Sequence, residues 1–446
     1  MKKREIGFIE AFSIGVGGMV GGGIFAVLGL TISLSRGAAP VAFAIAGLIA
    51  LVTVYSYVKL SLRYPSEGGT IEFIVQGFGN GLFSALVNNL MLISYVIMLA
   101  LYASAFGSYG AALFSQANVE WVQKGMAAAV IILFASVNLM GSMMAGKAED
   151  MMVFIKLTIL LFFVGAGFFT LDPGRLEPAT WASDTAILTG GLMIFLAYEG
   201  FELIANTAAD IKEPDKNLPR AYYAAVIFVI LLYIAVAAVA VGNVSPDEAA
   251  GAKDYLLAVA AEPFFGKTGF TIIAVAALLS TASAINATLY GGGRVGYLIA
   301  KLGELPETFE EKIKKGYEGM IIIALMSILF ATTFDIENIS IAGSMGFLIL
   351  FALVNLANLL RYEETGANRL IPALGFLLCS SSAVVLVGYH AIHKPEALVS
   401  SSIVLGVVIL FSWFYYRIEK RRGLSSYLDK RLGAGEKSRE ERKLDR

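Results

Sequence analysis

The chain has 446 residues, of which 57% are hydrophobic and only 15% charged, with a mean hydropathy of +0.73. Those values exclude an ordinary water-soluble globular protein and indicate an integral membrane protein with most of its mass in the bilayer. The formal net charge of −1 says nothing about partners, because in such a chain the distribution of charge matters and the sum does not.

Hydropathy predicts an all-α fold with twelve transmembrane helices, near 8–33, 38–60, 83–110, 122–141, 149–170, 186–207, 220–242, 268–291, 318–334, 337–360, 369–389 and 397–416. Each is close to the ~20 residues needed to cross a bilayer. The start is basic (Lys2, Lys3, Arg4), but the first apolar segment is too long for a signal peptide and lacks a small-residue cleavage site, so a retained span is expected.

That first span contains Gly15, Gly17, Gly18, Gly21, Gly22 and Gly23. Glycine costs about 1 kcal/mol relative to alanine in a helix interior, and no water is present at that depth to satisfy a broken backbone. A gap there survives only under protein cover or around a cavity that holds something polar. The plainer reading is close helix–helix packing through small residues, although six glycines exceed what one packing face needs. Glu10 lies nearer the entry end of the same span. In the third helix, Tyr95 either closes a pocket from above or packs in the core.

Lys156, in the fifth helix, is the only lysine or arginine inside a predicted span. It lies about five residues, or ~8 Å, inside the expected boundary. It therefore either snorkels to the headgroups or is a buried group that gives up its proton on desolvation.

The sixth span carries a second interruption, Phe195-Leu196-Ala197-Tyr198-Glu199-Gly200-Phe201-Glu202. An acid at the bilayer centre costs roughly 2.5–3.5 kcal/mol on insertion scales. Glu199 has three readings: favouring cationic substrates, taking part in proton transfer, or satisfying unwound backbone. Glu202 and Glu10 are expected to form gating ion pairs. In the eighth helix, Ser280 and Ser283 either face Lys156 or bond their own i−4 carbonyls.

Placing the N-terminus in the cytoplasm puts most of the 34 Lys and Arg on the cytoplasmic side, so both termini are expected there. The first helix then runs outward and the sixth inward. Two interrupted spans five helices apart point to an inverted repeat with a site at the midplane. Facing half-helices offer free N–H groups to an anion and free carbonyls to a cation. A zwitterion with both charges one carbon apart, such as an amino acid, fits that pair of ends.

Several ordered motifs resemble the amino acid–polyamine–organocation superfamily. They are Gly21-Gly22-Gly23-Ile24-Phe25, the sixth-helix segment Phe195 to Glu202, Ala209-Asp210-Ile211-Lys212-Glu213-Pro214 with Asn217-Leu218-Pro219-Arg220-Ala221, and Arg294 to Pro306. The likeness covers about residues 5–335 and is nearest to the archaeal proton-coupled members of broad amino-acid specificity. It implies that backbone amides at Gly21, Gly22 and Gly23, with Ile24 beside them, hold a substrate carboxylate. Carbonyls near Phe195, Ala197 and Tyr198 would hold the ammonium; Tyr95 and Glu199 are substrate-site candidates on their own positions, outside what the resemblance implies. It also implies that Lys156 replaces a structural sodium ion and couples transport to protons. An apolar residue can stand at the Glu199 position in those members, so this acid departs from the pattern.

The expected organisation is a first repeat over 1–175, a second over 176–362, two further helices over 363–416 and a charged cytoplasmic tail over 417–446. The expected activity is proton-coupled amino-acid symport without sodium, by alternating access in the cell membrane; a polyamine or cationic amino-acid carrier or exchanger is the alternative. The expected partners are an L-amino acid and the lipid bilayer, with no nucleic acid and no obligatory protein partner. No cofactor or metal is expected beyond the coupling proton. An integral-membrane enzyme would need a nucleophile–base pair or a metal set. Cys379 reads as a core residue, and His390 and His393 are placed in a short loop; neither supplies one.

Overall fold

A computed structural model of the chain describes residues 5–140, 146–252, 254–313, 316–399 and 401–418. From residue 419 onward the expected cytoplasmic tail lies outside the described residues, as do Lys2, Lys3 and Arg4.

The elements in chain order are α1 (Phe8–Met19), α2 (Gly23–Ser35), α3 (Ala39–Arg63), α4 (Thr70–Phe78), α5 (Leu82–Leu113), α6 (Glu120–Leu139), α7 (Gly146–Gly167) and α8 (Asp184–Met193). Two 3-10 segments follow, Phe195–Tyr198 and Phe201–Asp210. Then come α9 (Pro214–Asn243), the short α10 (Pro246–Gly251) and α11 (Leu256–Val259), α12 (Glu262–Lys301), α13 (Glu318–Thr333), α14 (Ile336–Leu360), α15 (Tyr362–Thr365) and α16 (Leu370–His393). A last apolar helix, α17, covers Pro395–Ile418. Apart from two isolated bridges, the one strand pairing among the described residues is a small antiparallel ladder, Lys312–Ile313 with Gly316–Tyr317.

Eight of these helices are long and apolar enough to cross a membrane, and two bent pairs raise the number to 10. Where the other two spans are expected, the structure has shorter apolar helices, Met151–Gly167 and Glu318–Thr333, that fall short of that length. Three sequence expectations need revising. The connection after α3 contains an amphipathic helix, α4, whose period hydropathy alone did not reveal. His390 and His393 belong to the last turn of α16, where their Nδ1 atoms meet the carbonyls of Leu386 and Tyr389; the helical bonding extends past the end of the apolar stretch. The eighth span continues beyond 291 to Lys301, with a kink at Gly266, where φ is 57°.

Burial separates the centre from the lipid-facing rim. The most apolar stretch of α5 is 89% buried, against 22% in α6, 28% in α16 and 24% in α17. A helix apolar on every side and covered on every side belongs at the core, and α5 packs most extensively against α12. On the rim, Leu133, Leu377 and Phe414 are exposed, as suits side chains that meet acyl chains.

The two interrupted spans lie side by side. α1 and α2 meet at a bend of 47°, and α8 and the following 3-10 run at 48°. At one end the chain before α1 pairs with the segment after Asp210: Ile6 bridges Ile211, and Lys212 N–H donates to the Ile6 carbonyl at 2.8 Å. At the other end Arg36 bridges Trp181. The start of one broken span therefore lies against the end of the other, and the two run antiparallel.

Candidate functional site

The first break spans residues 20–22 and the second residues 194–200. They touch. A Cβ on Gly18 would lie 2.8 Å from the Gly200 carbonyl oxygen, and one on Gly23 would lie 3.1 Å from the Ala197 Cα. Gly200 has φ of 118°, a conformation that glycine adopts without steric cost.

Breaking a helix in lipid exposes backbone groups that must find partners. Side chains from four other helices supply them. Lys156 Nζ donates to the Gly17 carbonyl at 3.0 Å. Tyr233 Oη on α9 bridges the breaks, donating to the carbonyls of Met19 at 2.7 Å and Ala197 at 3.3 Å. Ser280 Oγ donates to the Gly21 carbonyl at 2.9 Å. On α14, Ser340 and Ser344 both donate to the Met193 carbonyl, at 2.8 and 2.7 Å, and Ser344 Oγ accepts from Leu196 N–H at 3.2 Å. Gly200 N–H donates to Glu202 Oε2 at 2.7 Å. The N–H groups of Gly21, Gly22 and Gly23 have no acceptor among the described residues, as expected where a helix begins.

Beside the breaks lies a cavity of about 350 Å³, lined by Glu10, Ser13, Gly17, Gly18, Tyr95, Tyr102, Lys156, Glu199, Ser283 and Thr288 among others. Its exposed lining residues are Glu10, near the Ile6–Ile211 pairing, and Ala287. Its depth is marked by Lys156 and Glu199, which are 3% and 7% exposed. Glu202 Oε1 is buried and has no hydrogen-bond partner among the described residues. Tyr95 is buried, with its hydroxyl unpartnered among the described residues.

Of the residues singled out in the sequence, Tyr95, Lys156, Glu199, Ser283 and Glu10 share this cavity. Gly21, Gly22, Gly23, Ile24, Phe195, Ala197, Tyr198, Glu202 and Ser280 are buried beyond its wall. The glycine run lies directly behind that wall: a Cβ on Gly22 would press on the Tyr102 ring, and one on Gly21 would lie 3.2 Å from the Ala284 Cβ. Tyr198 gives its hydroxyl to the Phe43 carbonyl at 2.8 Å.

Some expectations are corrected by these contacts. Lys156 does not snorkel, because its ammonium is held by the broken backbone. Ser280 is bound to that backbone too, in place of either Lys156 or its own helix. Glu202 and Glu10 accept N–H groups, of Gly200 and Gly7 respectively, and neither makes an ion pair with a described residue. In this conformation the local unpaired donors compete successfully for both carboxylates.

Sequence reasoning missed Tyr102 and Tyr233. Both carried a signal. Tyr102 follows Tyr95 by seven residues, two turns along the same face of α5. Tyr233 is a phenol inside an apolar run, where its hydroxyl requires a partner.

Comparison with known proteins agrees with this architecture. Residues 6–416 match the model of a family described as amino acid permease. The chain is 34% identical to an uncharacterized protein of Methanocaldococcus jannaschii, over 94% of this chain and 97% of that protein. It is 32% identical to the inner membrane transport protein YbaT of Escherichia coli, over 86% and 90%. It is 22% identical to the branched-chain amino acid permease BcaP of Bacillus subtilis, over 84% and 87%. The chain thus belongs to the amino acid permease family, within the amino acid–polyamine–organocation superfamily, and is a multi-pass membrane transporter rather than an enzyme.

Proposed function

We propose that this protein is a secondary active transporter of L-amino acids that couples uptake to protons and not to sodium, working by alternating access about the two broken spans. The observation that carries the coupling is the contact of Lys156 Nζ with the Gly17 carbonyl, at the edge of the first break and inside the cavity. Protonated, the ammonium supplies a cationic donor that pins the broken span. Deprotonation removes the charge and weakens that hydrogen bond, freeing α1 to rearrange.

The substrate carboxylate is assigned to the unpaired N–H groups of Gly21, Gly22 and Gly23, where the α2 dipole also favours an anion. Tyr102 packs between them and the cavity, so this ring has to swing aside as the substrate docks. The ammonium end is assigned to the carbonyl side of the second break, with Glu199 facing it. Antiparallel broken spans support a five-plus-five inverted repeat over 1–175 and 176–362, with the last two helices outside it. With both termini in the cytoplasm, the Glu10 end of the cavity faces inward.

The test is uptake of labelled amino acids into proteoliposomes under an imposed pH gradient, with and without sodium, using the native protein and Lys156→Ala. Native uptake should follow the pH gradient and ignore sodium, and the variant should lose the pH-driven component by at least about tenfold. Uptake that required a sodium gradient would overturn the coupling assignment. Retained pH-driven uptake in Lys156→Ala would remove Lys156 from the mechanism.

A further inference from the structure

The segment Arg294–Pro306 stands out in the sequence and plays no part in the cavity. It ends in a buried carboxyl. Glu304 follows the last turn of α12 and is 2% exposed. Asn88 Nδ2, on α5, donates to its Oε2 at 2.7 Å. The neighbouring Asn89 Nδ2 donates to the Glu304 carbonyl at 3.3 Å and to Ser412 Oγ of α17 at 3.0 Å. Tyr415, also on α17, donates its hydroxyl to the Leu305 carbonyl at 2.8 Å. One point therefore ties together α5, the loop after α12 and α17.

The remaining oxygens of this cluster do not balance. Glu304 Oε1, Asn88 Oδ1 and Asn89 Oδ1 are all buried and lack a hydrogen-bond partner among the described residues. Every one of them is an acceptor if Glu304 is ionised, and buried acceptors without donors are costly. A proton on Glu304 changes the count, because the acid then has an O–H to give. The bond from Asn88 Nδ2 already joins one oxygen of the carboxyl to one end of the amide. A second bond, from Glu304 Oε1–H to Asn88 Oδ1, would close a cyclic acid–amide pair between two planar groups.

We infer that Glu304 is a proton-binding site, separate from the cavity, whose protonated form pairs with Asn88 and fastens the loop after α12 to α5 and α17.

The surroundings favour that state. Burial raises the Glu304 carboxyl to about 7 from its ordinary value of 4.5, against the opposing pull of the Asn88 hydrogen bond. Helix α5 contains no acidic or basic residue. Lys301, one turn back, holds its ammonium over the Tyr297 ring at 5.0 Å, and Arg417 of α17 lies over the Trp413 ring at 4.2 Å. Glu307, Glu310 and Glu311 in the loop and Glu318 on α13 are the acids on the elements packed nearby.

The test uses the full chain in detergent micelles. In the infrared spectrum, the native protein minus Glu304→Gln should show a protonated-carboxyl C=O band near pH 6 that fades as the pH is raised through about 7. Thermal stability should move with it. A folded-state value above the unfolded one gives stability that is complete below about 4.5 and lost as pH rises through about 7. Glu304→Gln, whose amide can form the same two bonds, should keep the low-pH stability and show no loss across that window. An unchanged pH profile in Glu304→Gln, or no carboxyl band in the difference spectrum, would overturn the inference. If Glu304→Gln fails to fold, the same band is read in Asn88→Ala, where loss of the amide should shift it; an unshifted band overturns the pair.

Discussion

Gly18 and Gly200 meet backbone to backbone at the crossing of the two broken spans, with space for no side chain at either position. Gly200 also holds φ at 118°. Gly200→Ala should therefore suffer twice. Strain alone costs about 1–3 kcal/mol, and the added methyl meets main-chain atoms that have no rotamer to change. We expect a clear drop in melting temperature in detergent and loss of amino-acid uptake. Gly79→Ala is the control, since φ there is 80° but nothing lies within 4 Å of the added Cβ; it should lose some stability and keep transport.

Tyr233 joins the two breaks through one hydroxyl. Tyr233→Phe keeps the ring and its packing but leaves the Met19 and Ala197 carbonyls short of a donor. An unsatisfied buried acceptor costs about 1–3 kcal/mol, so a stability loss in that range is expected, together with slower uptake. Tyr198→Phe removes a similar bond, to Phe43 inside α3. That carbonyl already sits in a helical ladder, and the loss should stay below about 1 kcal/mol. Equal effects of the two substitutions in melting experiments would contradict a special role for Tyr233.

Two serines on α14 serve the second break, but unequally. Ser340 and Ser344 both donate to the Met193 carbonyl, whereas only Ser344 accepts from Leu196 N–H. In Ser340→Ala the Met193 carbonyl still has a donor, and little should change. Ser344→Ala leaves Leu196 N–H without its acceptor in the bilayer interior. It should destabilise the protein by about 1–3 kcal/mol and speed amide hydrogen exchange around Leu196. Comparable exchange in the two variants would refute this division of labour.

The spans and both interruptions were legible in the sequence because each is a local property. Apolar length marks a helix, and glycine or carboxylate within it marks a weakness. Lys156 was legible for the same reason, as a charge out of place. What the sequence hid is which side chains repair the breaks. Ser344, Tyr233 and Ser280 lie 148, 214 and 259 residues along the chain from the backbone groups they serve. No periodicity reports such pairings, and a serine bonded to a distant carbonyl looks like one bonded to its own helix. For the same reason the ion pairs expected of Glu10 and Glu202 are not seen among the described residues in this conformation: each carboxyl takes a nearby orphan donor, the N–H of Gly7 or Gly200.

Glu202 tests that last argument. Its Oε2 accepts the Gly200 N–H, which has no other acceptor among the described residues. If holding this N–H is its role, the oxygen matters more than the charge. Glu202→Gln retains a carbonyl oxygen of the same reach and should keep most stability and uptake. Glu202→Leu fills the volume with no acceptor and should lose about 1–3 kcal/mol and most transport. Glu199, whose carboxyl lines the cavity, should behave differently: Glu199→Gln should leave the melting temperature nearly unchanged and alter uptake kinetics. Measuring melting and initial uptake rates for the three variants separates the two acids. Should Glu202→Gln prove as damaging as Glu202→Leu, the charge of Glu202 itself takes part in transport, and its assignment to the Gly200 backbone fails.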